Sequence, residues 1–465
     1  MINLKRNEIK KSGRLYTCLI LLVFIVYYFL FAILDGPIIA KDSMSYILMH
    51  TSREPFYPIF LAVNRALFKE DAYFWVVILL QSALWAYANF SLVDYIRKQF
   101  DFKVFFSILS ILVCIVPSMF LRFFAARGYM YSTVILTEGI CIPLFMLFAR
   151  FILEYIYINK KSALITSALI SFILISSRKQ MIITLLLMLI AVIYISFKNN
   201  LQFKKRIKGS LVGVLLCIIV TLLNLFLEYG YSYTLHKTFA THSSDDRFFA
   251  TVVFYVSERQ DAENIKDEEA RKLFIKIYDI CDEEGDMLHS ANGTIMQKAQ
   301  YYAEHYDCIQ IDHLWPEVES YVENVLMITD TVSKESYVDK LMSDMTYGVL
   351  PKVVPKVIFV FFASFLHGFV NTVATSEITL LHYYAMLVAL LYIVLLMINI
   401  IKKSDKVALI GVYTVLSVIF NIGLVSVVIF CQNRYMIYNM SLFYLTLLIM
   451  MHEVLKDNKI FRRLL

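Results

Sequence analysis

Long apolar runs separated by short polar breaks make up most of this chain, and the runs have bilayer length. They predict spans near residues 15–34, 73–95, 103–121, 132–153, 162–176, 180–197, 209–229, 378–400, 407–429 and 435–452. A helix of about 20 apolar residues crosses a hydrocarbon core of roughly 30 Å. The rhythm breaks at 230–352, where "DEEARKLFIKIYDICDEEG" and "WPEVESYVENVLMITDTV" carry apolar positions at helical spacing among charges. A further run, "VVPKVIFVFFASFLHGFV" at 353–370, is apolar enough to span. Counting it makes the total odd, so it is expected to be an interfacial or re-entrant helix, with a true eleventh span as the alternative. The expectation is an all-α polytopic membrane protein of about ten spans. An external interfacial helix follows span 1, and a small, mostly helical cap lies between spans 7 and 8. The parts are an N-terminal module (1–229) with an external loop at 35–72, the cap with the 353–370 helix (230–377), and a C-terminal module (378–465).

Composition agrees. The 465 residues are 59% hydrophobic and 18% charged, with mean hydropathy +0.65, whereas a soluble chain is nearer 45–50% and about 25%. The first run is too long for a cleaved signal and lacks a small-residue cleavage site, so it is expected to be retained. Charge sets the sides. Lys5, Arg6, Lys10, Lys11 and Arg14 precede span 1, and Arg97, Lys98 and Lys103 follow span 2. Lys160 and Lys161 follow span 4, "KNNLQFKKRIK" follows span 6, and Lys402, Lys403 and Lys406 follow span 8. Lys456, Lys459, Arg462 and Arg463 end the chain. By the positive-inside rule these loops share the cytoplasmic face, with both termini there. The 230–352 block, with 23 acids against 11 bases, carries −12 and leaves +18 on the remainder. It falls outside, as does the first loop.

Charge at membrane depth is costly, roughly 2.5–3.5 kcal/mol per group on insertion scales. Asp35 and Asp42 follow span 1, Glu138 lies early in span 4, Arg178 turns between spans 5 and 6, and Arg434 opens span 10. Each has a plain reading. Asp35 in "LDGP" suits a helix-end turn, Asp42 suits the cap of a helix starting at Ser43, and the arginines suit interface anchors. Together, acids and cations at one level of one face point to a polar cavity open to the outer leaflet. Two carboxylates can activate a hydroxyl or hold a metal, and two arginines match a phosphate.

The order of motifs resembles the GT-C superfamily of integral-membrane glycosyltransferases, closest to bacterial relatives of protein mannosyltransferases and aminoarabinose transferases. The matching residues are Asp42 and Tyr46 in "KDSMSY", and Arg53, Pro55, Tyr57 and Pro58 in "SREPFYPIFLAV". "LTEG" with Glu138, "SSRKQ" with Arg178 and "NRYMIY" with Arg434 follow in order, and the cap is unmatched. The resemblance implies an enzyme that transfers sugar from a polyprenyl-phosphate-linked donor to an acceptor hydroxyl at the outer face of the cytoplasmic membrane. It implies Asp42 as base, Glu138 as second acid, and Arg178 and Arg434 on the donor phosphate. The first loop, with Tyr46, Arg53, Glu54 and Tyr57, would wall the cavity, and the apolar stretch Ile59 to Phe68 would lie in the interface. A divalent metal, Mg or Mn, would take Asp42 and Glu138 as ligands. The chain departs from the family in having "EPFYP" where Gly often precedes the Tyr, and in lacking a paired Asp-Glu in the first loop. The expected partners are the donor, membrane lipid and an acceptor glycan, lipid or protein, with no nucleic acid.

Rival classes are a multi-span transporter or lipid flippase and an O-antigen-type polymerase. A transporter often shows internal repeats around a midplane site, and no repeat is visible here. There is no Walker loop, no dinucleotide fingerprint and no His-Glu-x-x-His. Asp312 and His313 lack metal-ligand spacing, Asn292 in "NGT" is a formal glycosylation acceptor, and the pairing of Cys281 with Cys308 stays open.

Overall fold

The computed structural model describes residues 2–69, 72–124, 128–199, 202–239, 241 and 245–456, with backbone only for 2–14 and 245–246. The tail cations Lys459, Arg462 and Arg463 lie outside the described residues, as do the side chains of Lys5, Arg6, Lys10, Lys11 and Arg14. Helices dominate. Among the described residues no strand forms, and the one sheet-like contact is a parallel bridge between Ile38 and Val134.

The N-terminal part comprises α1 (Ile2–Asp35), the short α2 (Ser43–Ile47), α3 (Phe56–Leu67), α4 (Ala72–Gln99), α5 (Val104–Phe124) and α6 (Glu138–Ile158). Then come α7 (Lys161–Ser177), a 3₁₀ turn (Lys179–Ile182) leading into α8 (Ile183–Asn199), and α9 (Phe203–His236). The hydrophilic block folds as α10 (Asp245–Val256), α11 (Glu268–Glu283), α12 (Ile295–Asp307), a π-helical stretch (Cys308–Leu314), α13 (Trp315–Asn324) and the start of α14 (Thr331–Val373). The C-terminal part is α15 (Thr379–Ile401), α16 (Asp405–Val428), the four-residue α17 (Asn433–Met436) and α18 (Met440–Leu455).

Ten of these elements are long and apolar enough to cross a membrane, a set that includes α14 and omits the 17-residue α7. Side-chain pairing assigns the two differently. Lys160, just before α7, meets Glu154 of α6 at 2.9 Å, and Arg178, just after it, meets Glu138 of α6 at 2.6 Å. Thus α7 runs the full height of α6 despite being only about 25 Å long at 1.5 Å per residue. The 43 residues of α14, about 65 Å at that rise, stay at one end. Lys356 pairs with Glu258 of the hydrophilic block at 2.5 Å. Asn371 donates to the Cys431 carbonyl at 2.7 Å, and Asn433 donates to Thr375 at 3.0 Å. The segment 353–370 is therefore no separate re-entrant helix. It is the second half of α14, continuous through Pro351 and Pro355, descending from the cap to the bundle end that carries Arg434. Removing α14 from the apolar set and adding α7 leaves ten traversing helices among the described residues.

The basic loops gather at the other end. Asp94 pairs there with Arg97 and Lys98, Tyr157 donates to the Lys406 carbonyl at 2.7 Å, and Ser404 donates to Glu453 at 2.9 Å. The pillar of the bundle is α6, whose apolar window is 83% buried in protein, against 11% for α9. α6 packs on α4 and α7, whereas α9 packs on α7 and α8 at the edge of the bundle and leaves most of its apolar surface uncovered by protein.

Candidate functional site

Glu138 is the first residue of the pillar helix, 1% exposed, where a carboxylate also suits the positive end of the helix dipole. Its approach is fixed by backbone pairing between the first loop and the segment before α6: Ile38 N–H donates to the Thr133 carbonyl and Ile135 N–H to the Ile38 carbonyl, both at 3.0 Å. Gln81 of α4 locks that junction. Its amide donates to the carbonyls of Ser132 and Val134 at 3.1 and 3.0 Å and accepts from Tyr57 Oη at 2.9 Å. A side chain at Gly139 would sit 2.5 Å from that amide.

Four distant segments meet at Glu138. Arg178 ends α7 in extended backbone and donates from Nη1 to Glu138 Oε1 at 2.6 Å. Arg434, at the start of α17, places Nε 3.3 Å from the same oxygen and donates from Nη1 to Asp42 Oδ2 at 3.0 Å. Asp42 also meets Arg53 at 3.4 Å. Asp42 precedes α2, yet its side chain makes no capping hydrogen bond; the carboxylate turns to the arginines instead. Two acids thus share three guanidiniums. The Arg434 Nε–H is buried with no acceptor in good alignment.

Aromatic side chains frame the cluster. Arg178 stacks over Tyr435 at 4.6 Å, Arg434 over the same ring at 5.1 Å, and Arg53 over Tyr46 at 4.6 Å. Arg178 also reaches Tyr438 Oη at 3.4 Å. Burial pushes the Tyr46 phenol up to about 12, with Arg53 opposing. Tyr57 is wholly buried and packs edge-on behind Tyr46, so it supports the wall from within. Glu54 accepts from the Lys179 backbone N–H at 2.9 Å and ties the first loop to the Arg178 turn. α3 begins at Phe56 after Pro55, with Pro58 in its first turn, where a missing N–H costs nothing. It packs on α4 and α7.

The structure brings Asp42, Glu138, Arg178 and Arg434 together, with Tyr46, Arg53 and Glu54 around them. It does not bring in Asp35, which pairs with Arg122 at 2.6 Å and accepts from Met130 N–H. Sequence reasoning missed the supports. Gln81 was visible as a lone amide in "VVILLQSALW". Gln180 reaches Asn421 and the Tyr435 carbonyl at 2.7 and 2.8 Å, which orients the turn bearing Arg434. Asp307 ends α12 within electrostatic reach of Arg434, Lys41 and Asp42. Only the folded cap could reveal it.

The site's residues fit a metal poorly. A guanidinium already bridges Asp42 and Glu138, and a divalent cation between them would have to displace Arg434. No protein-family model matches the chain, and no curated protein matches it.

Proposed function

We propose that this chain is an integral-membrane glycosyltransferase of GT-C type, acting at the outer face of the membrane on a polyprenyl-phosphate-linked sugar. The observation that carries the reading is the Asp42–Arg434–Glu138–Arg178 cluster, assembled at one bundle end from residues as far as 392 positions apart. The basic loops occupy the opposite end. Under the positive-inside rule that end is cytoplasmic, and the site and acidic cap face outward.

The chemistry follows from the groups. Three guanidiniums outnumber two carboxylates, and planar guanidinium forks suit the non-bridging oxygens of a phosphate. In the absence of donor the acids hold the arginines in place. A donor phosphate competes for Arg434 and releases Asp42 from one of its two ion pairs. Asp42, the more accessible acid at 31% exposure, then takes the proton from the acceptor hydroxyl. The acceptor oxygen bonds to the anomeric carbon as the bond from that carbon to the phosphate oxygen breaks. The products are the inverted glycoside and the polyprenyl phosphate, whose added negative charge the arginines stabilise. Glu138, buried against Arg178, is a positioning residue. No step passes through a metal.

The test is transfer of labelled sugar from a polyprenyl-phosphate donor by the purified chain. Asp42→Asn should lower turnover by roughly 10²–10⁴-fold, the range for a lost general base, while donor binding persists. A wild-type protein that neither binds nor consumes any such donor, while its fold is intact, overturns the reading.

A further inference from the structure

A second polar cluster lies in the cap and shares no residue with the arginine cluster. After α11 the chain turns at Gly285, whose φ of +82° is open to glycine at little cost, and this places Glu284 and Asp286 side by side. The π-helical stretch brings in the other two members. In an α-helix, residues five apart lie about 140° apart around the axis. The wider π turn swings Cys308 and His313 together, with Sγ and Nε2 4.0 Å apart. His313 Nε2 is 2.9 Å from Glu284 Oε2 and 4.0 Å from Asp286 Oδ2. One ligand atom from each of the four residues lies within 4.8 Å of all the others.

The decisive member is Asp286. Its side chain is 4% exposed, and His305 fixes one oxygen at 2.5 Å. The other, Oδ2, is buried with no N–H or O–H donor and is faced by His313 and the Cys308 thiol. A buried carboxylate oxygen met only by a thiol and a distant imidazole is what a cation would satisfy. Thiolate, imidazole and carboxylate together suit zinc, which takes four such ligands at about 2.0–2.3 Å. Tetrahedral geometry at those lengths separates ligand atoms by about 3.3–3.8 Å, inside the spread seen here.

We propose that Glu284, Asp286, Cys308 and His313 form a structural site for one zinc-class divalent cation. The cation clamps the π-helical stretch to the turn after α11. Cys308 directly follows Asp307, the cap residue that approaches Arg434 and Asp42, so the clamp also sets where the cap meets the cluster below. His305 acts as a positioning residue through its contact with Asp286.

The experiment uses the full chain in detergent, stripped with chelator and titrated with zinc or cobalt alone. The wild type should bind one equivalent, and cobalt should produce a thiolate charge-transfer band. Cys308→Ala should lose that band, and His313→Ala should bind zinc at least tenfold more weakly. Chelation should lower the thermal midpoint of the wild type and leave Cys308→Ala unmoved. Zinc binding no tighter in the wild type than in the Cys308→Ala/His313→Ala double variant overturns the proposal, as does a Cys281–Cys308 disulfide in the intact protein. Should the variants fail to fold, the wild-type cobalt band decides alone, and its absence refutes the site. Neither result bears on sugar transfer, which is read by a separate assay.

Discussion

Arg434 holds two carboxylates that enter from the first loop and from the pillar helix, and Arg178 shares one of them. Removing the deeper acid should therefore cost more stability than removing the shallower one. Glu138→Gln leaves two arginines facing a neutral, 1% exposed side chain, and breaking a buried pair in this way costs about 3–5 kcal/mol. Asp42→Asn, at a partly exposed position, should cost under about 1 kcal/mol. Thermal midpoints in one detergent check the order, and equal losses would contradict it. Asp307 gives a pH signature. Desolvation raises its carboxyl above the ordinary value of 3.8; Arg434 and Lys41 pull it down, and Asp42 adds to the rise. Because the folded value is raised, its favourable contribution is complete below pH 3.8 and fades as pH climbs through the raised value. The thermal midpoint of Asp307→Asn should thus gain on the wild type as pH rises above 3.8, and a constant difference would contradict this. The four central charges were legible in the sequence because ionisable groups stand out in apolar runs. Gln81, Gln180 and Asn421 are uncharged, and their roles depend on which backbone carbonyls the fold puts before them.

Among the elements, α14 shows where hydropathy and geometry part. Its 353–370 half is as apolar as a span, yet both of its ends sit at one end of the bundle because the cap half continues it. α7 shows the reverse: at 17 residues it is short by length, but ion pairs at both ends match it to α6. Most of the long apolar helices were legible as apolar runs, though the ten that qualify by length include α14 and omit α7. The continuity of α14 was not, because the polar block ending at 352 and the apolar run from 353 differ in composition and read as separate segments. Close helix approach at Gly139 is another feature that only packing reveals. Gly139→Ala drives a methyl into the Gln81 amide, which should cost about 1–3 kcal/mol through overpacking. It should also loosen the first loop, because Gln81 holds both Tyr57 and the approach to α6. Faster proteolysis within residues 35–68, with the helical content unchanged, is the expected readout.

For the whole molecule, the bundle separates a basic end from an end that carries the arginine–carboxylate cluster and the acidic cap. The sequence showed this polarity through its loops, while the way the cap descends onto the cluster through α14 depends on long-range contacts. Single cysteines introduced at Lys41 and Glu377 should react with a membrane-impermeant thiol reagent from the same side, and one at Lys403 from the other. Glu377 reacting with Lys403 would make α14 a true span. The most direct test of donor recognition is native mass spectrometry of the gently purified chain beside its Arg434→Ala and Asp42→Asn variants. A bound polyprenyl phosphate or its sugar ester, retained in Asp42→Asn and lost in Arg434→Ala, is the expected result. Ordinary phospholipid alone on all three proteins, or a polyprenyl species indifferent to Arg434, would contradict it.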